Sequence, residues 1–316
     1  MKIKDIGEFE LINRITKKFK GKKILVGIGD DAAVIKTKGL QVLTTDCLIE
    51  GDHFRKEWFT PKQIGMKAIE INVSDVASMG GIPKYALISL CLPNNLDVSF
   101  VESLYKGFWE SCDSYGIDII GGNMAHSNQI MISIFILGEV DEKNLSLRSN
   151  AKTGDYLMVS GHLGNGRAGL RLFQENINAY KKIKNNYLEP KSKLDFSKKI
   201  SSYVNSMIDI SDGLAAETKH ICDESNCGAL IYKEKIPIND EVRAVAKTLS
   251  ESEYDYALYG GEDFELLYSV SKENIDKVEG FIVGEITKNE GMFLLSNNKK
   301  ERIKKGGYDH FSQDIL

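Results

Sequence analysis

Carboxylates recur in short polar segments of this 316-residue chain, and apolar residues flank each segment. A carboxylate beside a hydrophobic core costs free energy unless it is paired or binds a metal. The acids, with the hydroxyl residues beside them, are Asp30 and Asp31 in "GIGDDAAV", Thr44, Thr45 and Asp46 in "LTTDC", Asp75 in "NVSDVAS", Asp209 and Asp212 in "IDISDGL", and Glu262 and Asp263 in "GGEDFEL". Mg²⁺ prefers about six oxygen ligands and usually binds one or two carboxylates plus substrate phosphates. The set therefore predicts several Mg²⁺ ions and a polyphosphate substrate.

Most of these acids also have an ordinary structural interpretation. Asp212 suits the positive N-terminal end of the helix predicted to follow it, and Asp30 or Asp31 suits a turn. Neighbouring residues of an extended segment point to opposite faces, so at most one of Asp30 and Asp31 faces a site. Asp75 is hardest to explain structurally, because the predicted helix around it is otherwise small and apolar. Asp75 therefore favours the metal hypothesis most strongly.

A glycine-rich segment, "GHLGNGRAGL", offers a turn between a predicted strand and a predicted helix. From Gly164 it matches G-x-G-x-x-G, but no second strand with an acid for a ribose follows soon after. The Walker A pattern is also missing, because Arg and Ala follow Gly166 where Lys and Ser or Thr are needed. Tight packing of strand on helix is the alternative role for these glycines. The N–H groups near Gly122 and Ser211 are better candidates to bind phosphate.

The composition excludes several classes of protein. The chain is 42% hydrophobic and 27% charged, with a net charge of -4, so it carries no electrostatic signature of a nucleic-acid or membrane partner. Its longest apolar run, "IMISIFIL", is too short to cross a bilayer, and the N-terminus lacks the apolar core of a signal peptide. The five cysteines show no disulfide framework, which predicts a cytoplasmic protein.

The segment "HICDESNC" contains His220, Cys222 and Cys227, which suggest part of a zinc site. A second Cys/His pair at suitable spacing is missing from the sequence. The alternative is two buried thiols, one on a helix and one on the strand after it.

Hydrophobic periodicity predicts alternating helices and strands that would position these residues. The predicted strands are "KKILVGI", "LQVLTTD", "PKYALISLCL", "IDIIGG", "QIMISIFILGEV", "DYLMVS", "SMIDIS" and "GALIY". The predicted helices are "EFELINRITKKF", "TPKQIGMKAIEINVSDVASMGG", "VSFVESLYKGFWESCDSYG", "GNGRAGLRLFQENINAY" and "DGLAAETKHICDES", and "KKIKNNYLEPKSK" is predicted as a loop. A break near residue 145 predicts two α/β domains, 1–145 and 146–316. Most of the acids lie where a predicted strand meets a loop, the usual place of α/β ligand sites.

Five motifs resemble those of the thiamine-monophosphate kinase family, in this order and at similar spacing: "GDDAAV", "TTDCLIEGDHF", "NVSDVASMGG", "MIDISDGLA" and "YGGEDFELL". The likeness runs from about residue 8 to residue 311. "GDDAA" and "DISDGL" mark the superfamily that includes aminoimidazole ribonucleotide synthetase and selenophosphate synthetase. "TTDxLxEGxHF" together with "GGEDxELL" points to the kinase.

The resemblance implies an α/β (α+β) fold of two domains, like that of aminoimidazole ribonucleotide synthetase. The N-terminal domain is expected to hold the metal and ATP site and to pair its sheet with its twin in a homodimer. The C-terminal domain is expected to close over nucleotide and substrate. The implied reaction is transfer of the ATP γ-phosphoryl group to thiamine phosphate, with Mg²⁺ as cofactor and thiamine diphosphate as product.

Site residues follow from the resemblance, position by position. The implied magnesium ligands are Asp30, Thr44, Thr45, Asp46, Asp75, Asn123, Asp209 and Asp212. The implied ATP contacts are Tyr105, Gly122, Asn123, Arg148 and Ser211, and the implied thiamine phosphate contacts are His53, Glu262 and Tyr308. No general base is expected, because the acceptor phosphate has a second pKa of about 6 and is mostly ionised at neutral pH. Trp58 or Tyr308 is expected to stack on the cationic thiazolium ring, and an ordinary partly buried aromatic is the alternative for Trp58.

Two alternative functions are also compatible with the sequence. One is another ATP-dependent synthetase of the superfamily, although the reactive cysteine of selenophosphate synthetase near a Gly-rich N-terminus is missing. The other is an inactive or sensor-type homologue that binds nucleotide. "GGNMAHS" motivates the second rival, because the family usually has Gly-Asp-Thr-Thr where this chain has Gly122 and Asn123 followed by Met and Ala. Asn keeps a carbonyl ligand without a charge, so an active enzyme with weaker metal binding is expected.

Overall fold

A computed structural model describes residues 1–5, 11, 14–15, 24–26, 34–35, 37–303 and 307, with the backbone alone at 24–26 and 34–35. Asp30, Asp31 and Tyr308 lie outside the described residues. The chain forms two compact units, one from Met1–Val76 and Gly81–Asp141, the other from Ala77–Gly80 and Glu142–Leu316. Each unit contains helices and its own β-sheet, so the expected two-domain α/β fold is confirmed.

The first unit is built on a four-stranded sheet with the order β3-β6-β4-β5. Its strands are β3 (Leu40–Ile49), β4 (Ile82–Leu92), β5 (Asp118–His126) and β6 (Met131–Val140), and a separate antiparallel pair consists of β1 (Ile24–Val26) and β2 (Val34–Ile35). β6 runs antiparallel to both neighbours, whereas β4 and β5 are parallel. Every second residue of β6 is buried, as expected when one sheet face packs against helices.

Two helices of this unit, α1 (Pro61–Ser78) and α2 (Val98–Tyr115), have the ends that the sequence predicts. The Thr60 hydroxyl caps α1 by accepting the N–H of Gln63 at 3.3 Å, and α2 ends at Gly116 with φ +70°. The helices approach closely at one point. A Cβ on Gly65 would lie 2.2 Å from the Leu104 carbonyl oxygen, so glycine is required there.

The second unit is built on a seven-stranded sheet with the order β13-β12-β9-β11-β7-β10-β8. Its strands are β7 (Tyr156–Val159), β8 (Ser206–Asp209), β9 (Gly228–Tyr232), β10 (Leu266–Val270), β11 (Phe281–Thr287), β12 (Gly291–Ser296) and β13 (Lys299–Arg302). Its helices are α3 (Asn165–Gln174), α4 (Lys181–Leu188), α5 (Leu194–Ile200), α6 (Leu214–Ser225), α7 (Asp240–Leu249) and α8 (Glu253–Tyr259). Neighbouring strands are antiparallel except for the parallel pair β9 and β12.

Several predicted elements differ from the structure. The Lys/Asn-rich segment predicted as a loop forms helix α4, and the helix before it ends at Gln174 instead of Tyr180. Strand β3 continues to Ile49 and β5 to His126, so the polar residues predicted at their ends lie inside strands. Helix α6 begins at Leu214, so the preceding Ser and Asp lie in a loop. Among the described helices, none is long and apolar enough to cross a membrane.

Candidate functional site

In the first unit, strand β3 and helix α1 bring several predicted ligands together. The Thr44 hydroxyl donates a hydrogen bond of 2.5 Å to the Asp75 carboxylate. The Asp46 N–H donates to the Asn72 side-chain oxygen at 3.0 Å, and Asn72 in turn donates to the Ala68 carbonyl. Residues 64–78 of α1 are buried except Asp75, which is half-buried. The helix therefore presents one accessible carboxylate beside the two polar residues of β3.

Thr45 faces away from this group. Successive side chains of a strand point to opposite faces, so Thr44 and Asp46 share the face that contacts α1 and Thr45 lies on the other. Thr45 is exposed, whereas its two neighbours are half-buried. A ligand role for Thr45 beside them would therefore use its main-chain carbonyl.

The segment between β3 and α1 holds His53 and Trp58. The Ile49 N–H donates to the His53 Nδ1 atom at 3.1 Å, and the buried Lys67 ammonium donates to the His53 carbonyl at 3.3 Å. The Arg55 guanidinium lies 4.9 Å from the ring centroid of Trp58. The indole face thus has a cation from the chain itself, which favours the ordinary structural role for Trp58.

Three predicted ATP contacts of this unit lie on α2 and β5. Tyr105 is 8% exposed, its ring packs edge-to-face on Phe108 at 5.1 Å, and burial raises the pKa of its hydroxyl. Gly122 lies within β5, where a Cβ would stand 1.9 Å from the Ile88 carbonyl oxygen. Its predicted position after a strand is therefore wrong, and close strand packing explains the glycine. Asn123 is exposed and pairs in register with Ser89 of β4.

In the second unit, the end of β8 and the loop between β8 and α6 carry three predicted residues, Asp209, Ser211 and Asp212. Asp209 ends β8 and is 5% exposed. Glu217, which the sequence analysis missed, is buried on α6 and accepts the Asp212 N–H at 3.1 Å and the Ser211 hydroxyl at 3.3 Å. Burial raises the pKa of Glu217 to about 7. An acid within the Ala/Leu-rich start of α6 was the available signal for this supporting role.

Arg148 is the remaining predicted ATP contact of this unit. It begins a short 3-10 helix, Arg148–Asn150, and its carbonyl accepts a hydrogen bond of 2.7 Å from the Ser225 hydroxyl. Burial, followed by the charge of the Arg148 guanidinium, lowers the pKa of His220, and the same charge opposes the rise that burial causes in the pKa of Glu217. Arg148 therefore places a positive charge near the loop that Glu217 supports.

The segment before β10 adopts an unusual backbone. Glu262 and Phe264 have φ of +66° and +49°, values that residues other than glycine rarely adopt. The Glu262 N–H donates to the Ser211 carbonyl at 2.8 Å, and the Phe264 N–H donates to the Ile210 carbonyl at 2.9 Å. The structure therefore brings Glu262 beside the Ser211 loop. Such strain persists at sites where the surroundings fix the conformation, often for function.

Asp263, between these two residues, fills the N-terminus of α3. Its half-buried carboxylate accepts the Gly164 N–H at 2.6 Å and the Gly166 N–H at 2.9 Å. Burial raises the pKa of Asp263 to about 7 against the lowering effect of these bonds. A Cβ on Gly166 would lie 2.4 Å from the Gly261 carbonyl oxygen. The G-x-G-x-x-G segment thus serves internal packing. The Asp263 carboxylate accepts the N–H groups that would otherwise be available to a phosphate.

Asp263→Ala is expected to lower the free energy of unfolding by roughly 3 kcal/mol, because it leaves two buried N–H donors without an acceptor. Asp263→Asn should cost about half as much, since one amide oxygen still accepts. Urea unfolding measures both changes. The exposed Asp276→Ala variant is the control and should stay within about 0.5 kcal/mol of the parent. A cost below about 1 kcal/mol for Asp263→Ala would show that the segment does not depend on this carboxylate.

The oxygen-rich donor set suits Mg²⁺ and does not suit zinc. Among the described residues, no three His, Cys, Asp or Glu side chains gather into a metal-binding group. Cys222 and Cys227 are 5% and 6% exposed, which supports the alternative of buried thiols over a zinc site. Mg²⁺ is usually bound by one or two carboxylates together with substrate phosphates.

Comparison with known proteins identifies relatives of the whole chain. The model of the AIR synthase related protein N-terminal domain matches residues 29–140, and that of the C-terminal domain matches residues 152–296. Thiamine-monophosphate kinase of Aquifex aeolicus (strain VF5) is 39% identical over 98% of this chain and 100% of the relative. Thiamine-monophosphate kinase of Buchnera aphidicola subsp. Schizaphis graminum (strain Sg) is 36% identical over 97% of this chain and 99% of the relative.

A solved structure shares the fold over nearly the full length. AaThiL complexed with AMPPCP and TMP matches with a TM-score of 0.81 and 38% identity. The match covers 98% of this chain and 99% of that chain.

Proposed function

The chain belongs to the thiamine-monophosphate kinase family of AIR synthase related proteins, and we propose that it uses Mg²⁺ to transfer the ATP γ-phosphoryl group directly to thiamine phosphate. The kinship expected from the five motifs is confirmed. The observation that carries the proposal is the full-length match to a relative complexed with the ATP analogue AMPPCP and TMP. We keep the prediction of a cytoplasmic location, because the five cysteines are free thiols.

We propose that a set of oxygen ligands holds the magnesium ions together with the reactant phosphates. They are Asp30, Thr44, Thr45, Asp46, Asp75, Asn123, Asp209 and Asp212. The Thr44–Asp75 hydrogen bond and the buried position of Asp209 at a strand end support this set. Bound Mg²⁺ supplies charge neutralisation for two anionic phosphates that must approach each other.

The remaining predicted residues are proposed to bind the two substrates. Tyr105, Gly122, Asn123, Arg148 and Ser211 contact ATP, and His53, Glu262 and Tyr308 contact thiamine phosphate. Glu217 holds the Ser211 hydroxyl by accepting its hydrogen bond. The unusual backbone at Glu262 holds that residue beside the same loop. In this proposal residues 1–145 supply the dimer interface, and residues 146–316 contribute the Arg148, Ser211 and Glu262 contacts.

Direct assay tests the proposed reaction against both rivals. Purified protein with ATP, Mg²⁺ and thiamine phosphate should form thiamine diphosphate and ADP in equal amounts, measured by chromatography. Nucleotide binding without turnover would favour the inactive homologue. ADP and inorganic phosphate formed in the presence of other acceptors, with no thiamine diphosphate, would favour a synthetase.

We propose that the outer face of the first sheet forms a homodimer. Leu43 is 58% exposed there, opposite Leu137 of β6, and the half-buried Phe135 pairs with Leu87 of β4 on the same face. Helix α1 contacts the other face of β3 through the hydrogen bonds to Thr44 and Asp46. An apolar sheet face of this kind is typical of a surface that a partner covers.

Leu43→Lys is expected to convert the dimer into a monomer, because it places a charge within an apolar interface. Sedimentation should give twice the 35.3 kDa chain mass for the parent and one chain mass for the variant. Leu40→Lys is the matched control, since Leu40 is 41% exposed but lies on the opposite side of β3. A Leu43→Lys protein that remains dimeric would place the interface elsewhere.

Asn123→Asp is expected to lower the Mg²⁺ concentration for half-maximal rate by about tenfold, equal to roughly 1.4 kcal/mol. The new carboxylate adds the charge that the amide lacks. Rate is measured against free Mg²⁺ at saturating ATP, together with the Mg²⁺-dependent rise in melting temperature. The exposed Asn128→Asp variant controls for added charge near β5. Superimposable curves for Asn123→Asp and the parent would show that position 123 does not face the metal.

A further inference from the structure

Two cysteines lie at the C-terminal end of α6, the end of the helix farther from the loop that carries Ser211 and Asp212. Cys222 lies in the last turn of the helix, and Cys227 follows the left-handed cap residue Asn226 (φ 51°, ψ 49°). The Cys227 N–H donates to the Cys222 carbonyl at 3.0 Å. This is the Schellman arrangement, in which the side chains of the same two residues pack together. Both residues line the same cavity.

The main-chain bond also limits the distance between the two Cα atoms. The bonded N and O atoms lie about 1.5 and 2.4 Å from their own Cα atoms, so the Cα–Cα separation is at most about 7 Å. Cysteines closer than about 7 Å can be bridged without movement of the backbone when their side chains converge. The Schellman geometry, and the cavity that both residues line, indicate that the Cys222 and Cys227 side chains converge.

A cavity gives small molecules a route to the pair. It has a volume of about 480 Å³, and its lining includes Cys222, Cys227, Asp223, Met292 and Arg302. The two cysteines are 5% and 6% exposed, so a macromolecule cannot reach them, whereas a molecule of the size of a peroxide fits the cavity.

The two thiols differ in acidity. The hydrogen bond from the Cys222 S–H lowers the pKa of Cys227, and the same bond, with burial, raises the pKa of Cys222. In contrast, burial raises the pKa of Cys47 and of Cys112, so neither gains thiolate character. The thiolate is the nucleophilic form of cysteine, so the lowered pKa of Cys227 favours this residue as the first to react.

We propose that Cys222 and Cys227 form an oxidation site at which a peroxide converts two thiols into an intramolecular disulfide. The Cys227 thiolate attacks one peroxide oxygen, the O–O bond breaks, and the leaving oxygen takes a proton to become water or an alcohol. The resulting Cys227 sulfenic acid is attacked by Cys222, the S–S bond forms, and the sulfenic oxygen leaves as water. Two thiols lose two electrons, and one peroxide gains them.

Peptide mapping tests the site directly. The reduced protein is treated with hydrogen peroxide, denatured, alkylated and cut with trypsin, which releases residues 220–233 with both cysteines. We expect this peptide to lose two hydrogens and both alkylation sites together, at a peroxide concentration that leaves the exposed Cys47 alkylatable. Oxidation of Cys47 with residues 220–233 still doubly alkylated would overturn the proposal.

Single variants test the order of attack. In Cys222→Ser the sulfenic acid on Cys227 cannot be resolved, so dimedone should trap it. In Cys227→Ser the remaining Cys222 should stay unlabelled under the same conditions. Equal labelling of both variants would contradict the proposed order of attack. Oxygen added to residues 220–233 of the parent, without formation of a disulfide, would contradict the proposed oxidation site.

Discussion

Asp75→Asn and Asp209→Asn are each expected to lower the rate of phosphoryl transfer at least about 1,000-fold, equal to roughly 4 kcal/mol, without unfolding the protein. Each variant removes one proposed ligand charge and keeps the shape of the side chain. In Asp75→Asn, the new amide oxygen would still accept the hydrogen bond that Thr44 donates to the carboxylate of the parent. Asp209 is 5% exposed, so a neutral amide at this position costs less to bury than the carboxylate.

Stability measurements separate loss of a ligand from loss of the fold. Without Mg²⁺, both variants should melt no lower than the parent, because removal of one acid relieves repulsion among neighbouring carboxylates. With Mg²⁺ and ATP, the melting temperature of the parent should rise, and that of each variant should rise much less. The exposed Asp276→Asn variant is the control and should match the parent in rate and melting. Near-normal turnover in both variants would show that neither acid is a ligand.

The sequence predicted the helix ends and most strands of the first unit because local chemistry determines them. Pro61 begins a helix that Thr60 caps, and Gly116 ends another with a positive φ. The polar residues of β3 caused its predicted end to fall too early, because the strand continues to Ile49. Thr44 and Asp46 alternate with exposed residues inside the strand, between the buried Val42 and Leu48. A polar strand interior of this kind occurs where a strand passes a site.

Helix α4 shows why composition alone failed in the second unit. Its sequence, "KKIKNNYL", is rich in Lys and Asn and is too short to form a helix by propensity. Ile183 and Tyr187, four residues apart, are buried, and the Gly169 Cα of α3 leaves room for the Tyr187 side chain. Contacts with a neighbouring helix therefore stabilise α4, and such contacts are not visible in an eight-residue window.

The candidate site was also predictable only in part. Motifs gave the residue types that bind metal and nucleotide, but not the residues that hold them in place. The hydrogen bonds from Asp212 and Asp46 identify Glu217 and Asn72 as supporting residues, and Asn72 lies 26 residues along the chain from Asp46. Asp263 belonged to the predicted acidic set, yet its carboxylate binds the Gly164 N–H. Long-range pairing decides whether an acid faces a ligand or the chain itself.

Thiamine phosphate is expected to exceed free thiamine as acceptor at least about 1,000-fold in kcat/KM, equal to roughly 4 kcal/mol. An acceptor phosphate has a second pKa of about 6 and is a ready nucleophile at neutral pH, whereas an alcohol needs a base. His53, a proposed substrate contact, has its Nδ1 atom occupied by the Ile49 N–H at 3.1 Å, so that nitrogen cannot take a proton from an alcohol.

The comparison of the two acceptors is made with the same protein preparation, at saturating ATP and Mg²⁺, by following formation of each phosphorylated product. The rate with thiamine phosphate should rise between about pH 5 and pH 7, as the acceptor loses its second proton. ADP release without either acceptor sets the background. A kcat/KM for thiamine within about tenfold of that for thiamine phosphate would refute the requirement for an ionised acceptor, because phosphorylation of thiamine would need a base that activates its hydroxyl. A rate with thiamine phosphate that is flat across the ionisation of the acceptor would refute it independently, since the monoanion and the dianion would then react alike.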